Sequence, residues 1–108
     1  MTEQRSATAK DKILIHVDPD IADLIPGFLN NRRKDLHLLT NALSQADFHT
    51  IRTVGHRMRG DGGGYGFHGI SIIGQALEQG AMEKDAQEIQ RSLVELTHYL
   101  EQVEVVID

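Results

Sequence analysis

The sequence predicts an all-α fold, an antiparallel four-helix bundle with a short extra helix on its N-terminal side. Apolar residues recur at helical spacing in consecutive segments, helix-capping residues precede these segments, and the connections between them are short. The 108 residues, of which 40% are hydrophobic, fit one small domain with one packed core. We therefore expect a single helical domain over residues 13–108, after a flexible leader over residues 1–12.

The N-terminal half is predicted to contain a short helix and a longer one. Residues 13–17 are a short apolar run, which forms either an extended strap or a strand. The run Asp18-Pro19-Asp20 starts the short helix, because Asp caps free N–H groups and Pro favours the first helical position. Pro26 separates this helix from the longer one, which ends near Ser44. The apolar stripe of this half comprises Ile21, Leu24, Ile25, Phe28, Leu29, Leu36, Leu39 and Leu43.

The C-terminal half is predicted to contain the remaining helices. Asp47 caps the first of them, Gly80 ends the second, and the last one starts near Asp85. Residues 60–66 are rich in glycine, which costs about 1 kcal/mol per helical position, so this run either continues the first helix or forms a loop after Arg59. The apolar stripes comprise Phe48, Ile51, Val54 and Met58, then Ile70, Ile73 and Leu77, then Ile89, Leu93, Leu96, Leu100 and Val103.

The composition excludes several classes of function. The absence of cysteine excludes disulfides, zinc–thiolate sites and thiol nucleophiles, and it suits a cytoplasmic protein. A net charge of −5 disfavours nucleic-acid binding. No segment reads as a signal peptide or a membrane span, so we expect no membrane partner. The chain has neither a GxxxxGK[ST] phosphate-binding loop nor an HExxH motif, so we expect no ATP site and no metal of its own.

One of the six histidines, His56, is distinguished by its neighbours. At about 100° per residue, it lies opposite the apolar side of its predicted helix, which faces the core. The spacing therefore predicts an imidazole that is exposed to solvent. The residues that helical spacing places along the same face are His49, Arg52, Arg59, Gly60 and Gly63.

These residue types suit a phosphoryl carrier. A neutral imidazole is a competent nucleophile near neutral pH. Arginines beside it can hold a phosphoryl group by charge-assisted hydrogen bonds. Glycines leave room for a second protein to approach the ring nitrogen closely. From the residues alone, a solvated polar face with no chemistry is the other interpretation that stays open.

The run His-Arg-Met-Arg-Gly-Asp-Gly-Gly-Gly-Tyr-Gly, which begins at His56, resembles the signature of histidine-containing phosphotransfer (Hpt) domains. That signature is a histidine, two residues, Lys or Arg, Gly, two small residues, two variable ones, an apolar residue and Gly. The resemblance extends over roughly residues 16–106. Its flanks are the lead-in from Val17 to Leu36, the helix start from Asp47 to Ile51, and the segment from Gly66 to Glu78.

The resemblance implies a phosphorelay intermediate with no kinase activity of its own. His56 would accept the phosphoryl group, Arg59 would stabilise it, and Gly60 would leave the imidazole accessible. The group would be exchanged with an aspartate of a response-regulator receiver domain, which supplies Mg²⁺. A sensor or hybrid histidine kinase is the other expected partner. The glycines would continue the helix, and a bundle of this length suits a monomer.

Other residues of this face are predicted from helical spacing alone. Arg52, Gly63 and His49 are expected on the surface that docks the receiver domain. Asp61 departs from the signature, which usually has a small residue there. Helical spacing places Asp61 towards the edge of the core, where a carboxylate needs a partner, so a bridging role is one possibility.

Three alternatives remain open at the level of sequence. The first is a non-catalytic helical interaction module that docks an acidic partner through the Arg52 and Arg59 face. The second is the dimerisation segment of a sensor kinase, although Arg57 and Gly60 stand where that segment has an acidic residue and, shortly beyond, a proline. The third is a metal-dependent enzyme, which the absence of ligand motifs disfavours.

Overall fold

Four α-helices make up most of the computed structural model, which describes residues 12–108. This confirms the predicted bundle, and the predicted leader lies outside the described residues except for Lys12. The elements in chain order are strand β1 (Ile13–Val17), a 3₁₀ helix (Pro19–Leu24), α1 (Ile25–Ser44), α2 (Phe48–Gly64), α3 (His68–Met82), α4 (Ala86–Gln102) and strand β2 (Val103–Ile107).

The helices begin where the capping residues predict. The Asp18 carboxylate accepts a hydrogen bond from the Asp20 N–H at 2.8 Å and starts the 3₁₀ helix. Pro26 lies in the first turn of α1, where its missing N–H costs no helical hydrogen bond. The carboxylates of Asp47 and Asp85 cap α2 and α4, each accepting from a backbone N–H three residues ahead. Local side-chain chemistry therefore fixes the helix starts.

The predicted end of α3 at Gly80 is wrong. The helix continues to Met82, and the chain turns at Lys84, whose φ is 54°. Gly80 is buried, and a Cβ there would lie 3.1 Å from the Ile89 side chain. A glycine that lets two helices pack closely was thus mistaken for one that ends a helix.

A small two-stranded sheet, which the fold-class prediction did not include, accompanies the helical bundle. The apolar run at residues 13–17 is a strand, which decides between the two alternatives left open by the sequence. β1 pairs in parallel with β2, from Ile13 opposite Val103 to Val17 opposite Ile107. Val103 was predicted to extend the last helix, but it is the first residue of β2. The two strands come from opposite ends of the described chain.

The core lies between the four helices and includes most of the predicted apolar stripes. Phe28 stacks on Tyr65 with ring centroids 4.6 Å apart, and it also contacts the buried ring of Phe67. The fully buried large side chains are Leu39, Ile51, Met58, Phe67, Ile70, Leu77, Ile89 and Leu96.

Helices α2 and α3 contact each other through backbone atoms at three glycines. A Cβ on Gly74 would lie 2.6 Å from the Arg59 backbone nitrogen, and one on Gly62 would lie 2.6 Å from that of Ser71. A Cβ on Gly55 would lie 2.8 Å from the Glu78 backbone nitrogen. Real side chains do not approach backbone this closely, so glycine is required at these positions. The contact at Gly55 brings α3 against the residue next to His56.

Candidate functional site

His56 lies in the middle of α2 and points into solvent. Its side chain is 71% exposed, whereas Ile51 and Met58 of the same helix are fully buried. The predicted orientation of the imidazole is therefore confirmed.

Helix α2 continues through the glycine-rich run to Gly64, so the loop alternative is wrong. Tyr65 caps the C-terminus of α2, and its N–H donates to the Asp61 carbonyl oxygen at 3.2 Å. The packing of Gly62 against α3 supplies a reason, because close tertiary contact can outweigh the low helix propensity of glycine.

Glu78 of α3 contacts the imidazole of His56 directly. Its Oε2 lies 3.0 Å from Nδ1 of His56, and its side chain is only 16% exposed. An ionised carboxylate only accepts hydrogen bonds, so Nδ1 carries the proton and donates it. Nε2 makes no hydrogen bond to any side chain within residues 12–108, which leaves its lone pair free to react.

Glu78 stays ionised near neutral pH. Desolvation by the surrounding protein raises the pKa of its carboxyl group, but hydrogen bonds and charge from His56 and Arg59 outweigh that effect. The net result is a pKa of Glu78 below its ordinary value. The donor role of Nδ1 follows from this ionised state.

Arg59 is bound to the same carboxylate. Its Nη1 lies 3.4 Å from Oε1 of Glu78, and its side chain is 52% exposed. The backbone carbonyl oxygen of Arg59 accepts a 2.6 Å hydrogen bond from the Ser71 hydroxyl, which adds a polar tie between α2 and α3. The predicted phosphate-stabilising residue is therefore held by Glu78 in the unphosphorylated protein.

The structure brings the other predicted site residues onto the same side of α2. His49 and Arg52 line a shallow depression together with His56 and Glu78. Gly60 and Gly63 are exposed, and a Cβ at either position would meet no atom within 4 Å. Gly63 does not line the depression but lies farther along the helix surface.

Asp61 takes part in an ion-pair network between α1 and α2. Its Oδ2 lies 3.6 Å from Nη1 of Arg32, which is buried and also pairs with Asp35 at 2.9 Å. Arg57 contacts Asp35 at 3.7 Å. Burial raises the pKa of Asp35, although the charges of Arg32 and Arg57 act in the opposite direction. The possibility that Asp61 acts as a bridging acid is thus confirmed, with Arg32 as its partner.

Glu78 is the site residue that sequence reasoning missed. In the sequence it is only the last residue of a segment that resembles the family, and it lies on a different helix from His56. A usable signal was present, because Gly74 precedes Glu78 by one helical turn, and a glycine at that spacing can mark close contact with another helix.

The comparison with known families decides the interpretation. The family model of the Hpt domain matches residues 23–105, which is well over half of the chain. This chain belongs to the Hpt-domain family. It is thus a histidine phosphotransfer domain of a phosphorelay, a phosphocarrier and not a kinase. Comparisons with curated proteins and with solved structures found no match.

Two further observations concern this Hpt domain. No helix within residues 12–108 is long and apolar enough to cross a membrane. Among the same residues, no group of three or more His, Cys, Asp or Glu side chains is arranged to hold a metal ion.

Proposed function

We propose that His56 is the residue that carries the phosphoryl group and that Nε2 is the reacting atom. The observation that supports this most directly is the asymmetry of the ring. Nδ1 is engaged with Glu78 at 3.0 Å, whereas the rest of the 71%-exposed side chain faces solvent. Nε2 therefore offers its lone pair on the solvent side of the ring, where a phosphoryl donor can reach it.

The proposed reaction is a direct exchange with an aspartyl phosphate. Nε2 of His56 forms the N–P bond as the acyl-phosphate O–P bond breaks, and the aspartate leaves as a carboxylate. Hpt domains exchange phosphoryl groups with receiver domains and histidine kinases in general. We expect the receiver domain to supply Mg²⁺, since phosphoryl transfer depends mainly on positioning and on neutralisation of charge.

The remaining predicted residues take supporting roles in this proposal. Gly60 and Gly63 leave the α2 surface without side chains, so a receiver domain can approach the ring closely. Arg59 would turn from Glu78 to the phosphoryl group, which offers a more highly charged acceptor. Arg52 and His49 would contact the receiver domain at the edge of the depression.

Three expectations accompany the proposal. The protein acts as a monomer, in the cytoplasm, and its partners are a response-regulator receiver domain and a sensor or hybrid histidine kinase. The alternative of a docking module without chemistry is not favoured. The family model that matches this chain is that of a phosphotransfer domain.

The test is phosphotransfer from a radiolabelled phospho-receiver domain in the presence of Mg²⁺. We expect a label on this protein that is stable in base and labile in acid, and no label on the His56→Gln variant. His49→Gln is the matched control, because this histidine is exposed on the same helix face. Undiminished labelling of His56→Gln, or loss of label only in His49→Gln, would show that the wrong histidine has been assigned.

A further inference from the structure

We propose that Glu78 is a positioning residue that keeps a proton on Nδ1 of His56 throughout the transfer cycle and thereby shortens the lifetime of the phosphohistidine. This inference rests on the proposed function of His56. With a short-lived phosphohistidine, this chain passes the phosphoryl group on quickly instead of storing it.

The geometry gives Glu78 the means to do this. Its carboxylate is 16% exposed and contacts Nδ1 of His56 with one oxygen and Arg59 with the other, at 3.0 and 3.4 Å. Its place is fixed by backbone packing, since a Cβ on Gly55 would lie 2.8 Å from the Glu78 backbone nitrogen. A carboxylate held in this way faces the inner ring nitrogen in the unphosphorylated protein.

The protonation state of the ring links this contact to the lifetime of the phosphohistidine. When Nε2 attacks, the ring already carries hydrogen on Nδ1, so the product is a phosphoimidazolium with its positive charge beside the Glu78 carboxylate. When the N–P bond breaks, a ring that keeps this proton departs as neutral imidazole, with no proton to be gained or lost. A ring without it would have to depart as an imidazolate anion, which is a far poorer leaving group. By stabilising the protonated ring, Glu78 favours the reactive form.

Arg59 adds a second effect in the same direction. Its guanidinium is the candidate stabiliser of the phosphoryl group, but Glu78 competes for it at 3.4 Å. The other charged or titratable groups around His56 are His49 and Arg52 on α2, which line the depression without contacting Glu78 in an ion pair. The carboxylate therefore opposes storage by holding the ring proton, and it competes with the phosphoryl group for Arg59.

The experiment measures the decay of isolated phosphohistidine from pH 5 to pH 9, in wild type and in Glu78→Gln. At acid pH both rings are protonated, so their decay rates should converge. At pH 8 we expect the variant to decay about tenfold more slowly, because the amide no longer offers the protonated ring a charged hydrogen-bond acceptor. Glu83→Gln is the control, because this exposed carboxylate bonds to Gln79 and not to the site.

The ¹⁵N NMR signals of the His56 ring provide a second readout in the unphosphorylated protein. Wild type and Glu78→Gln should keep hydrogen on Nδ1, because the amide oxygen still accepts, whereas Glu78→Ala should lose this preference. Identical pH profiles of decay in wild type and Glu78→Gln would overturn the inference, even with His56 fully labelled. Absence of label on wild-type His56 would instead overturn the proposed function, so the two failures are distinguishable.

Discussion

Replacing Gly74 by Ala should force helices α2 and α3 apart and destabilise the bundle. A Cβ at this position would lie 2.6 Å from the Arg59 backbone nitrogen and 2.7 Å from the Gly55 carbonyl oxygen. Ordinary van der Waals contact of a Cβ begins at 3.4 Å. Both obstructing atoms belong to the backbone and cannot rotate away, so the two helices must separate by roughly 0.8 Å at this point.

The size of the effect follows from two opposing contributions. Overpacking of a close contact costs about 1–3 kcal/mol, and an obstruction by backbone atoms belongs at the upper end of that range. Ala recovers about 1 kcal/mol through its higher helix propensity. The expected net loss is about 2 kcal/mol. Gly63→Ala is the matched control, because its Cβ would meet no atom within 4 Å, and it should gain about 0.5–1 kcal/mol.

Urea unfolding of both variants measures this difference, and ring NMR of His56 shows whether the site follows. Because Glu78 is one helical turn beyond Gly74, separation of the helices should also weaken its hydrogen bond to Nδ1. A Gly74→Ala protein as stable as Gly63→Ala would refute the backbone contact between α2 and α3. Unaltered ring signals in a destabilised variant would refute the link between that contact and the site.

Two further predictions concern buried and capping groups. Within residues 12–108 the buried hydroxyl of Tyr99 has no hydrogen-bond partner, so Tyr99→Phe should stabilise the protein by about 1 kcal/mol in thermal or urea unfolding. Burial also raises the pKa of Tyr99 to about 12. The wild type should therefore lose stability as the pH rises from 10 through 12, and the Tyr99→Phe variant should lack this loss. If both proteins lost the same stability over this range, the burial of the Tyr99 hydroxyl would be contradicted. The hydroxyl and then the N–H of Thr50 lower the pKa of Asp47 below 3.8. Its cap therefore stabilises α2 above that pH and weakens as the pH falls through the lowered value, so Asp47→Ala should lower the urea midpoint more at pH 7 than at pH 2. A loss that is the same at both pH values would refute the ionised cap.

The parts of the fold that depend on neighbouring residues could be predicted from the sequence. Asp47 and Asp85 cap helices where their side chains reach N–H groups three residues ahead. The exposure of His56 follows from the helical period, because Ile51 and Met58 occupy the opposite, buried side. These features need no knowledge of what packs against the helix.

The parts that were missed depend on contacts between distant segments. Val103 fits the apolar stripe of the last helix, and only pairing with β1 makes it a strand residue. Gly80 is a helix stop by composition and a packing position in the fold, where it lies against Ile89. Glu78 reaches His56 because glycines allow two backbones to touch. None of these partners is adjacent in sequence.

The pairing of β1 with β2 also determines how this fold responds to force. Ile13 lies opposite Val103 and Val17 opposite Ile107, so the strands run in the same direction. Pulling on Ile13 and Ile107 would draw them in opposite directions along their length, and the inter-strand hydrogen bonds would carry the load together, in shear. The helices lie between these strands in the chain and would feel little tension until the pair broke. The small sheet is thus a mechanical clamp across the bundle.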